Sequence, residues 1–416
     1  MAVQSASDYK FSSADAFNAI APAAEMSRSA FTTEGFDVTI YRDLEKAAPA
    51  WRALEEQAIG LPYQRFGWIQ AWYEAVGRDR FIEPVLVIAR QNNIFAFALP
   101  LGLEHRRGRS ALTFLGQENT NQNTGLWNPD CYATITADTL TATLEEVCHL
   151  AGADLLHLAN VPQTWNNRPS PLLLKERTDS PSPSFVGRLT NDFDGLFRSN
   201  FSKKSAKTLV RKQRKLEAAG NFRVFKAETE ADIRRGLEAF FTQRAKREAD
   251  AGIPSGFSTP EKRRFLETLA GLHRDNGAQT ANTQITVWAL EVGDAIRATY
   301  LTLHQGSRLI CYSTSISHDE LVSQSPGVVL LKNIIEHACA EPEIDILDLG
   351  LGDETYKHPW SEPQALSDSF LAVTARGWMN LQADKATQFV KAKIRNSQRL
   401  WTLVRKLRQF LRKRGA

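Results

Sequence analysis

Apolar and polar residues first alternate regularly at Gly35–Tyr41, GFDVTIY, which predicts a strand. DLEKAAPAWRALEEQAIG then sets apolar residues at helical spacing behind an acidic start, predicting a helix that opens near Asp43. FGWIQAWYEAVG predicts a second helix. VLVIAR and IFAFALPLGLE alternate on either side of QNN, a hairpin signal, and the strand ALTFLG closes the set before an Asn-rich loop. The same order returns roughly 180 residues later. It comprises the strand NFRVFKAE, a helix TEADIRRGLEAFFTQRAKREADAG ending at Gly252, a hairpin of TQITVWALE with AIRATYLTLH across Gly293-Asp294, and the strand RLICYSTSI. Repetition of one plan predicts two α/β (α+β) domains in tandem, each a mixed sheet flanked by helices. The expected boundaries are a mobile Ser- and Ala-rich arm over 1–35, a first domain over 36–180, a second over 186–380 and a basic amphipathic helix over 381–416. NRPSPLLLKERTDSPSPSF between them predicts a linker or exposed connection.

Only the second copy continues in a chemically suggestive way. A polar loop, SHDELVSQSPG, leads into VVLLKNIIEHACA, an apolar helix preceded by Ser325, Pro326 and Gly327. Proline in the first turn removes an N–H that has no intrahelical partner, and the remaining free N–H groups can face an anion. The strand IDILDLGLG follows and runs into DETYKHPW, which sets Asp353, Glu354, Tyr356, Lys357 and His358 just past a strand end. Thr355 stands where a dinucleotide-binding fingerprint needs its third glycine, so Gly350-Leu351-Gly352 is not read as one. For the ionisable cluster the alternative is a solvated loop whose charges pair with each other.

Composition narrows the class. At 416 residues, 43% hydrophobic and 24% charged, the chain has material for two globular cores. No uninterrupted apolar run reaches about 18 residues, which argues against a membrane span. Cys131, Cys148, Cys311 and Cys339 are far apart with no CxxC, so they read as reduced packing residues and indicate no metal site. The N-terminus lacks the basic and apolar regions of a secretory signal, which predicts a cytoplasmic protein. Net charge is +4, yet residues 391–414 carry ten Lys or Arg and no acid, leaving −6 for the rest.

LPYQRFGWIQAWYEAVG and TFLGQENTNQNTGLWNPD in the first half, with YSTSISHDELVSQSPGVVLLKNIIEHA and LDLGLGDETYKHPW in the second, resemble the GNAT superfamily of N-acyltransferases. More closely, the chain is similar over roughly 36–375 to the acetyltransferase-like family that includes the cellulose-biosynthesis protein CelD. That family is related to FemAB-type transferases, which carry two GNAT-like domains in tandem. The resemblance implies an acyl-CoA donor, acetyl-CoA or another, whose pyrophosphate sits over Gln324, Ser325, Pro326, Gly327, Val328 and Val329; Val329 stands where Gly or Ala is usual. It also implies that RLICYSTSI and IDILDLGL splay apart to admit the pantetheine arm. Tyr356 would then protonate the leaving thiolate, with Asp353 or Glu354, or alternatively His318, as base through water, and Tyr312 as a secondary candidate. Lys357 could pair with a phosphate or substrate carboxylate, and Trp360 could form an apolar wall.

The leading function is transfer of an acyl group to an amine of a sugar, lipid or cell-envelope or exopolysaccharide precursor. Two alternatives stand beside it. FSKKSAKTLVRKQRKLEAAG carries seven Lys or Arg, which suits a FemAB-like transfer from charged tRNA as well as a solvated helix face. Val329 and the basic tail suit a non-catalytic, membrane-associated scaffold for polysaccharide synthesis. Residues 391–416 place apolar side chains near helical spacing among cations, which predicts either peripheral contact with the anionic inner face of the membrane or packing back on the protein.

Overall fold

The computed structural model describes residues 28–395 apart from 107, 252–255, 258 and 274–283. Phe36, Val38 and Ile40 point inward from β2 (Phe36–Tyr41), as its alternation requires. β1 (Arg28–Thr33) pairs with it across Glu34-Gly35, both at positive φ, the geometry of a two-residue hairpin turn. Residues 28–33 of the expected mobile arm therefore form a strand. Their Ser and Thr residues conceal a short alternation in which Phe31 packs against the core. Residues 1–27 lie outside the described residues.

α1 (Leu44–Glu55) opens where Asp43 accepts from the Lys46 N–H, and α2 (Phe66–Trp72) follows. β3 (Glu83–Gln91) and β4 (Ile94–Arg106) turn at Asn92-Asn93, again with positive φ at both. β5 (Arg109–Phe114) adds to β4, and α3 (Ala137–Ala151) crosses to β6 (Leu155–Pro162), parallel to β5. β7 (Glu176–Asp179) and β8 (Ser184–Arg188) then precede α4 (Phe193–Asn200), α5 (Lys203–Ala218) and β9 (Phe222–Lys226). After α6 (Glu230–Ala251) and α7 (Pro260–Leu269) come β10 (Thr286–Val292), β11 (Ala295–Gln305) and β12 (Arg308–Ile316). α8 (Pro326–Cys339) crosses to β13 (Ile346–Leu351), followed by β14 (Glu362–Gln364), β15 (Leu366–Ala372) and α9 (Ala375–Arg395).

Among the described residues these strands form two mixed, mostly antiparallel sheets. The first runs β1-β2-β3-β4-β5-β6-β15-β7 and the second β9-β10-β11-β12-β13-β8-β14. The plan is shared: an antiparallel meander, then a helix crossing to one parallel neighbour, α3 between β5 and β6 and α8 between β12 and β13. The halves are nevertheless interleaved. β15, inside the interval expected for the second domain, lies between β6 and β7 of the first sheet. The expected linker is anchored too, with Leu172, Leu174 and Phe185 buried, because its three leucines and terminal Phe offer more apolar surface than its Pro and Ser suggest. One apolar cluster spans both halves, joining Trp68 and Trp72 of α2 to Phe240 of α6, Phe265 of α7 and Leu301 of β11.

Candidate active site at a divergence of two strands

β12 and β13 pair for three residues only, Arg308 with Ile346, Leu309 with Leu347 and Ile310 with Asp348. Beyond Ile310, β12 follows β11 and β13 follows β8, so the two strands part. A register shift marks each departure. On β12, Leu301 faces Ser313 and Thr302 faces Cys311, leaving Tyr312 as an extra residue. On β13 the shift against β8 falls between Ser184 and Val186. The expected splay is present.

A buried polar network holds the point of divergence. Asp348 is fully buried, accepts from Arg308 at 3.0 Å and from the Gln122 amide at 2.9 Å, and turns its other oxygen to the Gly350 N–H at 2.9 Å. Gln122 also donates to the Ser184 hydroxyl at 2.8 Å. Gly350 has φ +66°, and a Cβ there would lie 2.7 Å from the Asn121 side chain, so only glycine fits. Asn121 donates to the Tyr312 carbonyl at 3.4 Å, and the Tyr312 hydroxyl donates to the Asn119 carbonyl at 2.8 Å. Thus the Asn-rich loop of the first half is buried against the site in the second. Asn123 extends the tie, donating to the Ala159 carbonyl of β6 at 2.9 Å.

The turn after β13 sorts its ionisable residues. Lys357 is buried and donates to the carbonyls of Leu351 at 2.7 Å and Gly352 at 3.0 Å, while pairing with Glu354 at 2.8 Å. Asp353 pairs with His358 at 2.7 Å in the exposed part of the turn. Trp360 is buried within a ring of Phe193, Phe197 and Phe201. Tyr356 is the half-buried member. Its hydroxyl is hydrogen-bonded to that of Tyr300, and burial pushes its pKa up to about 12, so it stays protonated at neutral pH.

α8 begins after the loop that follows β12. Ser325 caps it in the left-handed region at φ 53°, with Pro326 and Gly327 in the first turn. Lys212 of α5 donates to the Ser325 hydroxyl at 2.6 Å, setting a cation where the helix dipole favours an anion. Gln324 bonds to Ser323. Val328 is half-buried, whereas Val329 is fully buried in the core under the sheet, so its side chain does not crowd the turn. Tyr356 lies against Tyr300 of β11; Asp353, Glu354 and Lys357 share its turn but are held in pairs, and Lys357 and Trp360 are buried. His318 is exposed in the loop after β12, and burial raises Tyr312 above its ordinary value.

Sequence reasoning predicted the helix α6 but gave it no part in the site. Its Gln243 accepts from the Ser315 hydroxyl of β12 at 2.6 Å, and Arg244 covers the Phe257 ring, which in turn contacts Tyr312. Glu248, 8% exposed, accepts from the Gly256 N–H through one oxygen while the other is buried without a partner. An acidic residue in a charged helix gives no local signal of that burial. Among the described residues, no group of three His, Cys, Asp or Glu could hold a metal, and no helix is long and apolar enough to cross a membrane.

Residues 203–358 match the family model described as an acetyltransferase (GNAT) domain. Among solved structures, the chain is similar to one described as FemX, at 10% identity and TM-score 0.53, over 78% of this chain and 96% of that one. A tandem GNAT protein from the clavulanic acid biosynthesis pathway aligns at 11% identity and TM-score 0.44, over 82% and 99%. No curated protein matches. The family match thus falls on the second half, and the first half repeats its plan of an antiparallel meander followed by a crossing helix and a parallel strand. Over residues 203–358 the chain is similar to acetyltransferase (GNAT) domains, and its fold is similar to that of FemX.

Proposed function

We propose that the chain transfers an acyl group, acetyl or longer, from acyl-CoA to an amine of a sugar, lipid or cell-envelope or exopolysaccharide precursor. The observation that carries this reading is the parting of β12 and β13 with a protonated Tyr356 beside it. The thioester arm would lie between the strands, and its phosphates would approach Gln324 to Val328 at the start of α8, where Lys212 adds a cation. The amine attacks the thioester carbonyl, a C–N bond forms, the C–S bond breaks, and the departing thiolate takes the Tyr356 proton. Glu248 pairs with Arg244 and the Gly256 N–H through one oxygen and keeps the other without a partner to receive the amine proton through water; Asp353 and Glu354 are ion-paired with His358 and Lys357. The first half would shape the acceptor side, since its Asn119–Thr124 loop closes one wall.

Transfer from charged tRNA is the second reading, favoured by the row of cations along α5, Lys203, Lys204, Lys207, Arg211, Arg214 and Lys215. The scaffold reading drew on Val329, which the core accommodates. We place the chain in the cytoplasm, with residues 391–416, largely outside the described residues, contacting anionic membrane peripherally. Titration calorimetry with acetyl-CoA and longer acyl-CoAs is the test. Saturable heat with at least one of them is expected. Absence of heat with all of them, alongside a salt-sensitive gel shift of aminoacyl-tRNA, would transfer the case to the second reading.

A further inference from the structure

One end of the first sheet gathers side chains that the transfer chemistry does not use. Strand register puts Tyr41, Glu83, Arg106, Arg109, Leu155 and Ala372 at this end together. α9 crosses it, tied by Arg109 to Asp384 at 2.8 Å and by Lys385 to Glu176 at 2.6 Å, with Leu381 packed on Leu155 and Phe370. With Leu381 inward, the same helix leaves Trp378 and Met379 exposed, at 58% and 59%. Phe81, just before β3, is 87% exposed, and Leu150, at the end of α3, is 41% exposed. The exposed large hydrophobic residues among those described are these four and Ile94, which sits at the opposite end beside Asn92-Asn93. Such clustering is not what scattered surface apolar residues give.

A cleft of about 640 Å³ opens at the same end, lined by Arg42, Tyr73, Arg78, Phe81 and Glu83. Arg42 donates through Nη2 to the Leu150 carbonyl at 3.1 Å, while its Nη1 is buried without an acceptor. Burial lowers the Arg42 pKa, the mark of a desolvated cation short of negative charge, although Glu83 pushes it back up. Glu83 itself is 60% exposed and lies 3.8 Å from His105. Arg78 stands over the Tyr73 ring at 5.7 Å. Phe81 is held at φ +55°, a strained setting for a bulky side chain, and the strain leaves its ring in solvent.

We propose that this end of the sheet docks on an anionic lipid surface, with a headgroup phosphate between Arg42 and Arg78 and with Phe81, Trp378 and Met379 entering the interfacial layer. The Nη1–H of Arg42 lacks an acceptor and Arg78 is exposed beside it, so this end calls for an anion together with an apolar layer. A phosphate accepts from that N–H, and aromatic rings are favoured at the headgroup level. The chain that continues α9 carries ten Lys or Arg and no acid over 391–414, so its charge is complementary to the same surface. The proposal adds a second contact to the membrane role of residues 391–416 and stands apart from the transfer chemistry.

The full-length protein is sedimented with vesicles of phosphatidylcholine alone and with vesicles in which roughly one third of the lipid is phosphatidylglycerol. Preferential binding to the anionic vesicles is expected. Phe81→Ser with Trp378→Ser should lower that partition about tenfold, and Arg42→Gln should also reduce it. Thermal unfolding of the double variant should be unchanged because Phe81 and Trp378 are exposed. A chain ended after Val390 reports the tail separately. If that truncation abolishes binding while the double variant binds as the wild type does, the docking end is overturned and the tail reading survives. No vesicle binding by the wild type, or self-association lost in the double variant without any lipid binding, overturns it as well.

Discussion

At Tyr356 the physics is a contest between burial and solvation. Burial keeps the phenol protonated, the hydrogen bond to Tyr300 and the Arg247 guanidinium pull its pKa back down, and the balance stands at about 12. A proton held that firmly stays on the phenol at neutral pH, so the hydroxyl is available as a donor to the sulfur as negative charge builds on it while the C–S bond breaks. Replacing Tyr356 by Phe should therefore cut turnover by roughly 10²–10⁴-fold while calorimetric affinity for the donor stays put; unchanged turnover would remove Tyr356 from the reaction. Its neighbours were legible in sequence only as a charged group at a strand end. Pairing within the loop was the alternative the sequence offered, but which partners meet, Lys357 with Glu354 and Asp353 with His358, depends on a turn that brings residues three and five apart together. Glu248 was illegible for the opposite reason, since its burial comes from Gly256 and the packing around Phe257.

Strands and helices were the readable part. Period-two runs marked β2, β3, β4, β10, β11 and β12, and turn residues with positive φ closed the hairpins where Asn92-Asn93 and Gly293 stand. β7 and β15 escaped because their partners are each other and β6, at sequence separations that local pattern does not register. The parting of β12 from β13 is a property of elements, fixed by a register shift on each strand. Gly350 is where the second of these shifts can be tested. Gly350→Ala would force a Cβ at positive φ to within 2.7 Å of Asn121, and should cost about 1–3 kcal/mol of stability in urea unfolding. An unperturbed midpoint would mean that the strands part for some other reason.

Across the whole molecule, the halves are joined by more than apolar packing. Glu118 of the first half pairs with Arg80 at 2.7 Å and with Lys262 of α7 at 3.0 Å. Although burial pushes its pKa up, the bonds from Arg80 and Lys262 win and hold it at about 2. A folded-state pKa below the unfolded value means that the stabilisation is complete above the ordinary carboxyl range and disappears as pH falls toward 2. Thermal unfolding of the wild type and of Glu118→Gln should thus differ most near neutrality and converge at low pH; a gap that persists at low pH would exclude this linkage. The return of β15 to the first sheet has a consequence for biosynthesis. As a nascent chain leaves the ribosome, β6 waits with one edge bare until residues 366–372 have been made some two hundred positions later, so the sheet begun first is finished almost last. Until then that bare edge can recruit a strand from another chain, which makes the half-synthesised protein the form most in need of a chaperone.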